Sequence, residues 1–148
     1  MNVDAIGDIA APFFLDTNIL IYAFDSRVPE KQHLARALVR YALQTQRGLI
    51  SSQVVQEFLN GALKKFKPPM TVQESQEYLQ AVLIPLCQHL PMRQFYGFAL
   101  QVKAQTGFSF YDALVLAAAI ESGCKVLLSE DIQHERVVDG VRIINPFV

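Results

Sequence analysis

The stretch Phe13–Asn18, Phe-Phe-Leu-Asp-Thr-Asn, places three apolar residues directly before an acid and two further polar residues. A short apolar run that ends in a polar turn is typical of a strand buried inside a sheet. Asp-Thr-Asn is suitable for capping a helix, and residues 17–24 are predicted to form a short apolar helix. The stretch therefore predicts a strand–helix unit with Asp16 at the junction.

Outward from this unit, strands and helices are predicted to alternate. Helices are predicted over 30–46 (ended by Gly48), from Ser52 as the cap to about 66, from Thr71 to about 85, over 92–106, and from Ser109 to about 123. Short apolar runs predict further strands over 49–51, 86–90, 126–128 and 141–144. This alternation is typical of a three-layer α/β/α fold, in which helices cover both faces of a mainly parallel sheet.

The composition fits one compact domain. The chain has 148 residues, of which 51% are hydrophobic and 18% charged, so it can bury a core and is neither a disordered tail nor a coiled coil. Thirteen basic and 14 acidic side chains give a net charge of −1. Without a global positive field, a nucleic-acid partner would need a local basic patch or bound metal ions.

Cysteine use and hydropathy indicate a cytoplasmic protein. Cys87 and Cys124 form no CxxC pair, and reduced thiols are the expected state. The densest apolar run, Ala113–Ile120, is too short to cross a bilayer.

We interpret residues 1–12 as an N-terminal leader and residues 13–148 as a single domain. The leader contains Asp4 and Asp8 but no basic residue, so it does not resemble a signal peptide. A strand extension, a tail and a misplaced start codon are the interpretations left open for it.

Four carboxylates are predicted to meet at one edge of the sheet. Asp16 and Asp131 follow strands, Glu57 lies in the second turn of the helix after 49–51, and Asp112 lies in the first turn of another helix. Ligands of parallel sheets gather at the carboxyl ends of the strands. Because carboxylates repel one another, such a cluster suits hard divalent cations such as Mg²⁺ or Mn²⁺, which prefer oxygen ligands and activate water.

Each acid also has a purely structural interpretation. Asp16 could cap the helix that follows it, and Asp112 could form a capping box with Ser109. Glu57 could be a surface acid beside an apolar stripe, and Asp131 a solvated loop acid. The four together favour the metal site over these separate explanations.

Other classes of site lack their motifs. The seven glycines include no GxGxxG pattern, and no glycine precedes a lysine as in a P-loop. A haloacid-dehalogenase phosphatase needs an aspartate where this chain has Asn18. The scattered histidines provide no usual zinc-ligand spacing; they are His33, His89 and His134.

Taken in order, four segments resemble the PIN domain, and the resemblance covers roughly residues 12–148. They are Phe14–Asn18, Val54–Phe58, Tyr111–Leu114 and Ser129–Asp131. Within that family, the chain is most similar to the VapC-type toxins of bacterial toxin–antitoxin pairs. The ending, Ser129–Gln133 followed by Asn145–Phe147, is also similar to theirs.

This resemblance implies a PIN-like fold and a Mg²⁺- or Mn²⁺-dependent endoribonuclease. Asp16, Glu57 and Asp112 match the three core acids of the family, and Asp131, rather than its neighbour Glu130, matches the fourth. Three residues match or suggest supporting polar groups: Thr17, Asn18 and Ser129. The resemblance also implies RNA as substrate, an antitoxin that lies beside the early helices, and a homodimer.

Two alternatives stay open: a PIN nuclease of RNA maturation or decay, and a catalytically silent PIN-like binding module. The presence of all four acids argues against the silent module, and the small size favours the toxin. For substrate contact, Lys64 lies seven residues after Glu57, close to the same angular position on the helix, with Lys65 nearby. These lysines are predicted to contact RNA phosphates, unless they only solvate the helix end and favour its dipole.

Overall fold

A six-stranded sheet forms the centre of the computed structural model, which describes residues 1–148. The strands are β1 Phe13–Leu15, β2 Gly48–Ser51, β3 Cys87–His89, β4 Val126–Leu128, β5 Val137–Val138 and β6 Val141–Ile144. Their order across the sheet is β3-β2-β1-β4-β6-β5. Every neighbouring pair is parallel except the β5–β6 hairpin. The predicted α/β class with a mainly parallel sheet is confirmed.

Seven α-helices surround the sheet. They are α1 Thr17–Tyr22, α2 Pro29–Thr45, α3 Ser52–Lys64, α4 Val72–Tyr78, α5 Ile84–Leu86, α6 Phe95–Thr106 and α7 Phe110–Glu121. A π-helical stretch, Leu79–Leu83, joins α4 to α5, and a 3₁₀-helix spans Val3–Asp8. None of the helices combines the length and the apolar composition needed to cross a membrane.

The predicted first strand lies in the interior of the sheet. β1 pairs with β2 on one side and β4 on the other, and Phe13, Phe14 and Leu15 are fully buried. Burial on both faces explains why the strand is apolar throughout instead of alternating. The backbone amide of Asp16 donates to the carbonyl oxygen of Leu128 at 3.0 Å, which places Asp16 at the carboxyl edge of the sheet beside β4.

Two predictions about helix ends were wrong by a few residues. Gly48 does not end α2; Gln46 takes the left-handed conformation there, with φ of 58°, and Gly48 begins β2. A Cβ on Gly48 would lie 2.2 Å from the Cβ of Ala42, so the close approach of α2 to the strand requires glycine. Ser51, rather than Ser52, caps α3, because its hydroxyl accepts from the amide of Val54.

The region after α3 keeps the predicted capping box but not a single α-helix. Thr71 and Glu74 exchange side-chain and backbone hydrogen bonds at 3.0 Å, which confirms the box. The helix then widens into the π-helical stretch before α5. β3 follows where a strand was predicted, α6 begins three residues later than predicted, and the β5 strand was missed.

The N-terminal residues pack against α2. Ile6 of the 3₁₀-helix is buried, and the Tyr41 hydroxyl donates to the carbonyl oxygen of Ile9 at 2.9 Å. Residues 3–8 therefore form neither a strand extension nor a detached tail. Cys87 and Cys124 are both free thiols.

Candidate active site

The carboxyl edge of the sheet brings the four predicted acids together. Asp16 follows β1 and Asp131 follows β4, while Glu57 lies in the second turn of α3 and Asp112 in the first turn of α7. Their charges interact: Glu57 and Asp131 both help to raise the pKa of Asp16, and the same two acids help to raise the pKa of Asp112. The convergence is a property of the fold, and the role of the acids as metal ligands stays a prediction.

Asp16 lies at the bottom of this cluster with 6% of its surface exposed. Its Oδ1 accepts from the Thr17 amide at 2.7 Å and so caps α1, while its Oδ2 accepts from the Ser129 hydroxyl at 2.7 Å. Burial raises the pKa of Asp16 to about 6, against the lowering effect of these two hydrogen bonds. The capping interpretation is therefore correct, but capping a helix does not account for a buried carboxylate facing other acids.

The three predicted supporting residues connect the acids. The Thr17 hydroxyl donates to Oε2 of Glu57 at 2.7 Å. The Asn18 amide nitrogen lies 3.1 Å from Oδ2 of Asp131 and 3.4 Å from Oδ2 of Asp16, so it bridges the two. The Ser129 hydroxyl, which donates to Asp16, also accepts from the amide of Asp131 at 3.2 Å. These contacts hold the carboxylates at defined positions despite their repulsion.

Glu130 and Asp131 point to different partners. The carboxylate of Glu130 forms an ion pair with Lys31, and this pair lowers the pKa of Glu130 against the raising effect of burial. Lys31 also lies 4.7 Å from the ring centroid of Tyr22 and 5.3 Å from that of Phe147. Glu130 is thereby held at α2, and Asp131 is the one that faces Asn18.

Sequence reasoning missed two further residues of the site. Lys31 is 99 residues from Glu130, and no spacing pattern indicates that contact. Gln53 donates to Oε1 of Glu57 at 2.8 Å and to the carbonyl oxygen of Tyr111 at 3.5 Å. Its position four residues before Glu57 on the same helix is a signal that could have identified it.

Asp112 differs from Asp16 in that its side chain does not cap a helix. The Ser109 hydroxyl accepts from the Asp112 amide at 3.2 Å and so caps α7. The return bond of a capping box, from the Ser109 amide to the Asp112 carboxylate, is absent. Burial raises the pKa of Asp112, and the charges of Asp131 and Glu57 add to the effect. A hydrogen bond with the Ser109 side chain acts in the opposite direction and lowers the pKa of Asp112, so the carboxylate contacts Ser109 while it faces the charges of Asp131 and Glu57.

The donor set fits a hard divalent cation in its chemistry. All four groups are carboxylates, and the buried one has a raised pKa, which a bound cation would reverse. No three His, Cys, Asp or Glu side chains in the structure are arranged to hold a metal ion as they stand.

Lys64 and Lys65 end α3 with exposed side chains and form no ion pair or side-chain hydrogen bond. Seven residues of helix separate Lys64 from Glu57, about 10 Å along the axis. Their contact with RNA remains a prediction.

A parallel sheet with an acid cluster at its carboxyl edge is the arrangement expected from the PIN resemblance. The model of the PIN domain family matches residues 13–140. This chain belongs to the PIN domain family.

Solved structures with the same fold include toxin–antitoxin complexes. One from Klebsiella pneumoniae has a TM-score of 0.60 and 22% identity, over 86% of this chain and 93% of that chain. A DNA-bound VapBC from Salmonella typhimurium has a TM-score of 0.59 and 22% identity, over 90% and 96%. VapBC2 from Rickettsia felis, bound to a promoter DNA fragment, has a TM-score of 0.54 and 18% identity, over 88% and 96%. A search of curated protein sequences finds no match.

Proposed function

We propose that this chain is a divalent-metal-dependent endoribonuclease and the toxin of a type II toxin–antitoxin pair. The observation that carries the proposal is the convergence of carboxylates: burial raises the pKa of Asp16 to about 6, and the charges of Glu57 and Asp131 act on both Asp16 and Asp112. A fold gains nothing from that repulsion, so a cation that offsets it supplies a reason for the arrangement.

The four acids would hold Mg²⁺ or Mn²⁺, which supplies the positive charge that activates water and stabilises the phosphate oxygens in phosphodiester hydrolysis. The remaining residues keep the acids in place. Ser129 and the Thr17 amide hold both oxygens of Asp16, and the Thr17 hydroxyl holds Glu57. Asn18 bridges Asp16 and Asp131, which limits their movement when charge changes in the site.

The RNA backbone would be held by cations at the end of α3. Lys64 and Lys65 are exposed and unpaired, so they can neutralise phosphates without breaking a contact of the fold. This patch supplies the local attraction that a chain of net charge −1 lacks globally.

The proposed protein partners are an antitoxin and a second copy of the chain. The similar structures from K. pneumoniae, S. typhimurium and R. felis are toxin–antitoxin complexes, which supports an antitoxin as partner. Of the apolar residues of the first helix and the turn after it, Ile19 and Leu20 are fully buried in the chain's own core. Ile21 and Tyr22 are partly exposed, and Phe24, at 37% exposure, is the most accessible of these residues to a partner.

The test is cleavage of total RNA by the purified chain. We expect internal fragments with Mg²⁺ and intact RNA with EDTA. Asp8→Asn, an acid exchange in the N-terminal 3₁₀-helix, is the matched control and should cut as wild type does. Intact RNA in every buffer would refute the proposed nuclease activity. The catalytically silent PIN-like binding module would then be the remaining interpretation.

Growth of a bacterial host after induction separates the toxin from a housekeeping nuclease. We expect arrest with the wild-type chain and normal growth with Asp112→Asn. A chain that cuts RNA in vitro but does not arrest growth would contradict the toxin and favour RNA maturation or decay.

A further inference from the structure

A cavity of about 260 Å³ lies beside the acid cluster, between the start of α3, the end of β3, and helices α6 and α7. Gln53 lines the cavity and also donates to Glu57 and to the Tyr111 carbonyl oxygen. The Gln53 side chain therefore lines the cavity and also contacts Glu57, one of the four clustered acids. A molecule in the cavity would be separated from Glu57 only by the Gln53 side chain.

The lining of this cavity carries aromatic rings and neutral polar groups but no charge of its own. It contains no Lys, Arg, Asp or Glu, and half of its 12 residues are hydrophobic. Tyr96, at 52% exposure, and Tyr111, at 67%, present rings to solvent, while Gln56 offers an exposed amide with both a donor and an acceptor. Such a lining suits a flat, neutral ring with polar edges and not a phosphate or a metal ion.

His89 lines the cavity and has one ring nitrogen without a hydrogen-bond partner in the protein. His89 is 6% exposed, and its Nε2 is hydrogen-bonded to Glu121 at 2.8 Å. Its Nδ1 makes no hydrogen bond in the structure, and its ring lies 4.6 Å from that of Phe95. The Nε of Arg47 is the only side-chain nitrogen or oxygen that is buried without a hydrogen-bond partner, so the His89 Nδ1 is accessible to solvent and open to a hydrogen bond with a bound molecule.

We propose that this cavity is a base-binding subsite that receives one unpaired nucleobase of the RNA whose phosphate lies at the acid cluster. The inference rests on the proposed ribonuclease function. The base stacks on the rings of Tyr96 and Tyr111, and Gln56 hydrogen-bonds to its polar edge. Base–aromatic stacking accepts every base, and the edges of an unpaired base are free for hydrogen bonds.

Fluorescence anisotropy with two probes tests the subsite. One probe is a short single-stranded RNA; the other is a strand of equal length with abasic sugars, which keeps the phosphates and lacks the bases. The Asp112→Asn chain serves as parent so that RNA stays intact. Three variants are compared in it: the double exchange Tyr96→Ala and Tyr111→Ala, the matching double exchange to Phe, and Leu100→Ala, an exposed control one turn from Tyr96 and outside the cavity.

The double Ala variant should bind the base-bearing RNA about fivefold more weakly or worse, the loss expected from removing a stack, with no change for the abasic strand. The double Phe variant and Leu100→Ala should bind both probes as the parent does. Unchanged binding of the base-bearing RNA, or equal weakening for both probes, would overturn the subsite. If the double Ala variant loses self-association but binds both RNA probes as the parent does, the cavity is a protein–protein contact, and this result would also overturn the subsite. If wild type cuts no RNA and the parent binds neither probe, the proposed function has failed as well.

Discussion

Asp16 and Asp112 both lie at the start of a helix, yet the two helix ends are built differently. Asp16 caps α1 with its own carboxylate and is buried, whereas the Ser109 hydroxyl caps α7 and the carboxylate of Asp112 lies half-buried beside it. The carboxylate of Asp16 therefore caps a helix, and that of Asp112 does not. An acid that a helix does not need, placed beside other acids, is the clearer evidence of function.

The largest expected effect is on cleavage. Asp112→Asn removes one of the proposed metal-binding carboxylates, so RNA cleavage should fall by at least about a hundredfold. Ser109→Ala removes the helix cap and keeps the acid; it should lose about 1 kcal/mol of unfolding free energy and continue to cut RNA. Initial rates on a defined RNA and urea unfolding of the same samples measure both. An active Asp112→Asn chain would make Asp112 a structural acid after all.

The next largest effect is expected on the pH dependence of the free energy of unfolding in the absence of metal. Because the folded pKa of Asp16 is about 6 and its ordinary value is 3.8, the stabilisation from its protonated form is complete below pH 3.8 and is lost as the pH rises through 6. The loss is of order 3 kcal/mol. Asp16→Asn keeps an oxygen for the Thr17 amide and should remove this decline.

Urea unfolding in EDTA from pH 4 to pH 7 compares the two chains. Asp112→Asn should remove a smaller part of the decline, because Asp112 is less buried than Asp16. Parallel curves for wild type and Asp16→Asn would show that burial does not raise the pKa of Asp16 in the folded chain.

A moderate effect is expected at Lys31, which holds Glu130 away from the cluster. Lys31→Ala should loosen the segment that carries Asp131 and lower the cleavage rate by about tenfold, since small misplacements at reacting groups are costly. Arg27→Ala breaks an exposed ion pair with Asp25 outside the site and is the matched control. Equal cleavage rates for Lys31→Ala and Arg27→Ala would show that Lys31 does not help to position Asp131.

The smallest effect is expected at the end of α3. Lys64→Ala should weaken RNA binding a few-fold and reduce the slope of log affinity against log salt by about one. Lys125→Ala, an exposed lysine before β4 at the opposite edge of the sheet, should leave the slope unchanged. A Lys64→Ala slope equal to that of wild type would leave only the helix-dipole explanation for this lysine.

The parts of the site that lie next to each other in sequence were predictable. Asp16, Thr17 and Asn18 follow a strand at once, and their contacts follow from strand and cap geometry. Asp112 and Glu57 were placed by counting turns from a strand or a cap. The two-residue strand β5 was missed because so short a run shows no periodicity.

Contacts between distant segments were beyond sequence reasoning. The Lys31–Glu130 ion pair joins α2 to the turn after β4, and neither residue shows a pattern that selects the other. The aromatic cavity likewise needs one strand end and three helices to meet. Tyr96 and Tyr111 are ordinary surface residues until the tertiary packing places both at the cavity.

Thermal melting of wild type and Asp112→Asn, each in EDTA and in Mn²⁺, tests the central claim most directly. In EDTA, Asp112→Asn should melt at or above the wild-type temperature, because one repelling charge is gone. In Mn²⁺ at a hundredfold excess over Kd, wild type should gain about 2.7 kcal/mol and the variant much less. A variant that melts lower than wild type in EDTA and gains as much from Mn²⁺ would contradict the metal site.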